Sequence, residues 1–157
     1  MAAKPVLLDT NLAVLLVVGL FGTDLIARHK KLRAYDQRDF EILQELVSPA
    51  SELIFTPHIL TEMSNLLRQI GDPLRSRLTE LFSRFILTAT EQSIESKTAV
   101  RRAEFTRLGL PDSVSLCLAE TGAVLLTDDL DLYLAAEHAG FEAINFAHVQ
   151  AARPGFR

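Results

Sequence analysis

Four acidic residues, Asp9, Glu62, Asp112 and Asp129, fall where an α/β chain would gather side chains at one end of its sheet. Two of them follow apolar runs of strand character. Pro5-Val6-Leu7-Leu8 leads into Asp9-Thr10-Asn11, and Ala123-Val124-Leu125-Leu126 leads into Thr127-Asp128-Asp129. In open parallel sheets ligands bind beyond the carboxyl ends of the strands. Carboxylates crowded there repel one another and shift their pKa values unless a cation balances them. A hard divalent ion such as Mg²⁺ takes oxygen ligands and keeps several waters. The pattern therefore points to metal-dependent chemistry, most naturally on phosphate.

Each acid also has a plainer reading. Asp9 could be a helix N-cap, a role Asp fills well, but Thr10 or Asn11 would cap equally well. Glu62 is expected well inside a helix, at the edge of its apolar stripe, where capping cannot explain it and a half-exposed flank residue is the alternative. Asp112 follows Pro111 at a helix start, where the dipole alone favours an acid. Asp128, Asp129 and Asp131 crowd another helix start, which needs only one capping acid. Thr10 and Asn11 are candidates for supporting Asp9, and Thr127 for bonding a carboxylate or a phosphate oxygen.

The elements that must position these residues alternate between strand and helix. Residues 5–8, 53–55, 85–89, 123–127 and 142–146 read as strands. Helices are expected from about Asn11 to Gly19 or Gly22, and over 24–33, 36–47, 92–107 and 129–139. Three more begin at Thr56-Pro57, Asp72-Pro73 and Pro111. Thr56 suits an N-cap and Pro57 the first helical position. Such alternation argues for a parallel sheet covered on both faces. The 157 residues make one domain over 1–152, with a loose tail from Arg153 to Arg157.

With 48% hydrophobic and 23% charged residues, the chain can bury a sizeable core. A net charge of −4 argues against a generally basic nucleic-acid-binding surface, though an ion among the acids would cancel part of it. The lone Cys117, flanked by Leu116 and Leu118, excludes an intramolecular disulfide, suits a reducing cytoplasm and reads as a small buried hydrophobe. The stretch Leu12–Phe21, only 10 residues, is too short for a bilayer, which needs about 20. It lacks the basic start of a signal peptide. It reads as a helix buried on a sheet. Its apolar excess, with that of 24–47, suggests a homodimer interface.

Two basic clusters are candidates for holding a polyanion: Arg28, His29, Lys30, Lys31 and Arg33, and then Lys97, Arg101, Arg102 and Arg107. A solvated face is the plainer reading of both. His29, His58, His138 and His148 show no zinc-ligand spacing. There is no GxSxG, Walker A or GxGxxG motif.

The ordered set Val6-Leu7-Leu8-Asp9-Thr10-Asn11, Thr56-Pro57 with Glu62, Leu110-Pro111-Asp112 and Leu125-Leu126-Thr127-Asp128-Asp129 resembles the PIN-domain nucleases over nearly the whole chain. The resemblance implies a three-layer α/β/α sandwich with a five-stranded parallel sheet in order 3-2-1-4-5. It implies Mg²⁺- or Mn²⁺-dependent endoribonuclease activity. Catalysis and metal binding would fall to Asp9, Glu62, Asp112 and Asp129, with Asp128 and Asp131 as rivals for the last place. Many small bacterial members are toxins paired with an antitoxin protein, and they form homodimers. This chain departs from the pattern in its longer 23–52 segment and in Ser113, where the family usually has alanine.

Two other readings use the same residues. A haloacid-dehalogenase-like phosphohydrolase would use Asp9 as nucleophile with Thr88, Lys97, Asp128 and Asp129. It wants a second Asp where Asn11 stands, and it leaves Glu62 and Asp112 idle. A non-catalytic binding module on the same fold would leave the whole acidic set unexplained.

Overall fold

Val6, Leu7 and Leu8 are apolar and offer no polar face, so they fit a strand covered on both sides. In the computed structural model, which describes residues 2–156, they form β1 (Val6–Leu8), fully buried at the centre of the sheet. β1 pairs in parallel with β2 (Leu53–Phe55) on one side and β4 (Val124–Thr127) on the other. β3 (Thr90–Glu91) extends the sheet beyond β2, and β5 (Ala143–Asn145) beyond β4. The order β3-β2-β1-β4-β5 is the expected one, in an α/β/α sandwich. All strands being parallel, their carboxyl ends share one edge, and Asp9 and Asp128 follow β1 and β4 there.

The apolar stretch after β1 becomes α1 (Thr10–Phe21). Every residue from Leu12 to Gly19 on it is buried. Its excess of apolar side chains is absorbed within the chain by α2 (Gln37–Val47), α3 (Pro57–Leu67) and α4 (Leu74–Thr88). That surplus therefore does not by itself require a second copy. α2 crosses α1 at Gly19, where a Cβ would sit 2.1 Å from the Phe40 ring. Only glycine permits that approach.

Several boundaries differ from expectation. Residues 24–33 form two 3₁₀ turns, Thr23–Arg28 and Lys30–Leu32, rather than one helix. The expected strand at 85–89 is the end of α4, and β3 comes just after it. Phe85 continues the stripe of Leu78 and Phe82, and it meets Phe55 edge-on at 5.1 Å. Tertiary packing thus overrides the strand-like composition. The expected helix over 92–107 is two short pieces, α5 (Ser96–Ala99) and α6 (Phe105–Leu108). Neither has a capping side chain.

α7 (Leu110–Glu120) and α8 (Leu130–His138) follow the expected course, and Cys117 is buried in α7. After β5 the chain forms α9 (Phe146–Ala152), which the sequence reading did not anticipate. The tail is not loose at Arg153. Its guanidinium bonds Asp36 at 2.6 Å and the buried Asp39 at 2.7 Å, and Gln150 Nε2 donates to the same Asp39 at 2.9 Å. Arg153 holds the Asp36 carboxyl down at about 2. Arg157, also assigned to that tail, lies outside the described residues. Among the described residues no helix is long and apolar enough to cross a membrane.

Candidate active site

Asp9 is fixed twice. Its backbone N–H continues the sheet by donating to Leu126 O at 3.0 Å. Its carboxylate caps α1 by accepting from Thr10 N at 2.9 Å, and its Oδ2 accepts from Thr127 Oγ1 at 2.6 Å. Thr127 in turn accepts from Asp129 N at 3.0 Å. A short relay thus ties the ends of β1 and β4 together. Capping and site membership coexist at Asp9, because the carboxylate serves both the helix and the neighbouring strand.

Glu62 arrives from α3. Thr56 caps that helix through Ile59 N at 3.0 Å, with Pro57 at the first position. Glu62 is exposed on the helix edge, and its Oε2 accepts from Thr10 Oγ1 at 3.2 Å. Asp112 lies in the first turn of α7. The turn opens at Gly109, whose φ of 85° favours glycine. Ser113 is buried and donates to Gly109 O at 2.8 Å. A serine is thereby accommodated where the resemblance leads one to expect alanine.

Asp129 is the N-cap of α8, accepting from Leu132 N at 3.1 Å. The plainer reading of this acid is therefore real, yet it occupies only Oδ1 of the carboxylate. Asp128, half-buried beside it, accepts through Oδ2 from Asn11 Nδ2 at 3.4 Å and from the hydroxyl of Tyr35. Asp131 is exposed in the first turn of α8. Asn11 thus supports Asp128 and not Asp9 directly.

Hydrogen bonds through Thr10, Asn11 and Thr127 link Asp9, Glu62 and Asp128 at this edge. Burial pushes the Asp9 carboxyl up, and the charges of Asp128 and Asp129 push it further, against the hydrogen bonds from Thr127 and Thr10. Asp112 is pushed up to about 7, first by burial and then by the charges of Asp9, Asp129, Glu62 and Asp131. Acids from four separated segments therefore act on one another.

These donors suit a hard divalent cation. They are all oxygens, and the raised carboxyls are what a cation would relieve. Among the described residues no three His, Cys, Asp or Glu side chains already stand arranged to hold a metal ion. Asp9, Glu62, Asp128 and Asp129 bond hydroxyls and amides instead. Mg²⁺ keeps several waters and is usually held by one or two carboxylates, so a closed protein cage is not required.

The basic clusters come out unevenly. Arg28, Lys30, Lys31 and Arg33 are exposed, but His29 is buried and accepts from Lys31 N, so it is no part of a cationic surface. Lys97, Arg101 and Arg107 are exposed. Arg102 is committed to Glu104 at 3.1 Å and Glu120 at 3.0 Å and lies 5.2 Å over the Phe141 ring. It is a structural residue and is not free to hold a phosphate.

Sequence reasoning missed Tyr35. It reaches Asp128 across 93 residues of chain from the segment that the PIN resemblance does not explain. Its only local signal was an apolar ring with a polar tip.

No family model and no curated protein matches the sequence. Among solved structures, a domain of a functionally unknown protein from Methanocaldococcus jannaschii DSM 2661 is similar, with 19% identity, 91% of each chain covered and a TM-score of 0.44.

Proposed function

We propose that this protein is a metal-dependent endoribonuclease of PIN type. The observation that carries the reading is the gathering of acids at the carboxyl edge of the sheet, where Thr10, Asn11 and Thr127 link Asp9, Glu62 and Asp128 by hydrogen bonds, and where burial and then the charges of Asp9, Asp129 and Glu62 push the Asp112 carboxyl up to about 7. A bound Mg²⁺ or Mn²⁺ would supply a water of lowered pKa and stabilise charge on the phosphoryl oxygens.

The chain's own part is positioning. Asp9, held by Thr127 and Thr10, presents a fixed carboxylate at the centre. Asp112 and Asp129, whose charges couple to that of Asp9, would be further oxygen donors. Glu62 is steadied through one oxygen by Thr10 and is exposed, so its other oxygen is open to take the proton of the attacking water. Attack on phosphorus would leave 5′-phosphate and 3′-hydroxyl ends. Exposed Lys30, Lys31, Lys97 and Arg101 are the cations offered to the RNA backbone. The reading extends to a homodimer and to an antitoxin partner.

The phosphohydrolase alternative fits less well. Thr88 ends α4, where its hydroxyl donates to Phe85 O at 3.0 Å, and so does not follow a strand. The test is to incubate purified protein with a structured RNA in Mn²⁺, in Mg²⁺ and in excess EDTA. Cleavage only with the ions, and no turnover of small phosphate monoesters, supports the nuclease. Monoester turnover with trapping of a phosphorylated Asp9 and intact RNA would replace it with the phosphohydrolase.

A further inference from the structure

The segment between α1 and β2 is longer than the PIN resemblance calls for, and it reaches the acids at one point. Tyr35 follows the second 3₁₀ turn and precedes α2. Its backbone N–H donates to Leu32 O at 3.0 Å. Its ring is buried and lies against Phe146, with centroids 6.1 Å apart. The next residue, Asp36, forms a capping box with Asp39, and Arg153 clamps both. Tyr35 is therefore a rigidly mounted donor, and its hydroxyl is spent on Asp128 Oδ2. The same oxygen accepts from Asn11, two residues beyond Asp9.

We propose that Tyr35 is a positioning residue of the acidic site, and that the carboxylate it positions, Asp128, takes part in holding the ion beside Asp9. The inference rests on the reading of the cluster as a metal site. The contacts around Asp128 fit that role. Both of its hydrogen-bond donors bond the same oxygen, so Oδ1 has no protein partner among the described residues. Thr127, the residue before it, donates to Asp9 Oδ2, and Asn11, two residues beyond Asp9, donates to Asp128, so the two carboxylates are held side by side. Residues that orient metal-ligating carboxylates typically contribute about 10–100-fold to metal affinity. A phenol that holds one oxygen fixes the rotamer of the other without competing for it. The 23–52 segment thereby becomes part of the site.

The test measures Mn²⁺ binding to the whole chain without RNA, by the electron paramagnetic resonance signal of the free ion. Wild type, Tyr35→Phe, Asp128→Asn and the double variant are compared, and each is melted in EDTA. Tyr35→Phe keeps the ring on Phe146, so its melting temperature should move by no more than about 4 °C. Its Mn²⁺ affinity should fall about 10–100-fold. Asp128→Asn should lose at least as much, and the double variant no more than Asp128→Asn, because the tyrosine acts through the aspartate. Wild-type affinity in either single variant would overturn the proposal, as would losses that simply add. If wild type itself binds no Mn²⁺, the metal reading falls and this proposal with it. If wild type binds and Tyr35→Phe matches it, the proposal alone falls.

Discussion

Asp112→Asn should stabilise the metal-free protein. A carboxyl raised from 3.8 to about 7 in the folded state favours folding only when protonated. Its contribution is intact below the unfolded value and is lost as pH rises toward 7. The full span corresponds to about 4 kcal/mol. Asp112 is only partly buried, and solvent and salt screen its neighbours. A realistic figure is roughly 1–2 kcal/mol. Asn cannot ionise and removes that cost. For a chain of this size the melting temperature in EDTA at pH 8 should rise by roughly 2–8 °C. At pH 5 the gain should shrink to about a third, because less of the titration range has been crossed. Addition of Mg²⁺ should then raise wild type more than the variant, since an ion stabilises the state that binds it. The assay is thermal unfolding at both pH values, with EDTA and with Mg²⁺. A variant no more stable than wild type at pH 8, or a gain that does not depend on pH, would refute the picture of a charge-strained acidic cluster.

Other outcomes follow from particular contacts. Gly19→Ala puts a methyl into the Phe40 ring and should cost about 1–3 kcal/mol, read as a lower urea midpoint with an unchanged slope. Arg101→Ala should weaken RNA binding and flatten its dependence on salt by about one contact, with little change in melting temperature. Arg102→Ala should do the reverse, losing stability because Glu104, Glu120 and Phe141 lose their partner. If the two variants behave alike in both assays, the assignment of Arg102 to structure is wrong. The homodimer rests on the PIN reading alone, on which light scattering at high micromolar concentration should give twice the 17.4 kDa chain mass. A mass of one chain would remove the homodimer from the account.

Much of the frame was legible because its signals are local. Val6-Leu7-Leu8 and Val124-Leu125-Leu126 are short and apolar throughout, as buried parallel strands require, and turn residues or helix starts follow them. Thr56-Pro57 announces α3 by capping chemistry alone. Errors arose where distant packing decides. Phe85 reads as strand until Phe55 is known to lie across from it. Residues 92–107 read as one helix until Arg102 is seen to turn toward Glu120 and Phe141. Arg153 looks like a tail residue until Asp36 and Asp39 meet it. The acids were found by type and position, but their order of contact was not. Nothing near Asp128 foretells Tyr35, and nothing in the DDLD run says which carboxylate caps α8.

The measurement that tests the central claim most directly is cleavage of an end-labelled RNA by wild type and Asp9→Asn in Mn²⁺. Asn keeps the cap of α1, and the buried charge it removes offsets the Thr127 bond it gives up, so the variant should still fold. It should nonetheless lose at least about 100-fold in cleavage rate, the scale expected when a metal-binding group is removed. Wild-type cleavage by a folded Asp9→Asn protein, or equal cleavage by wild type in excess EDTA, would contradict the account.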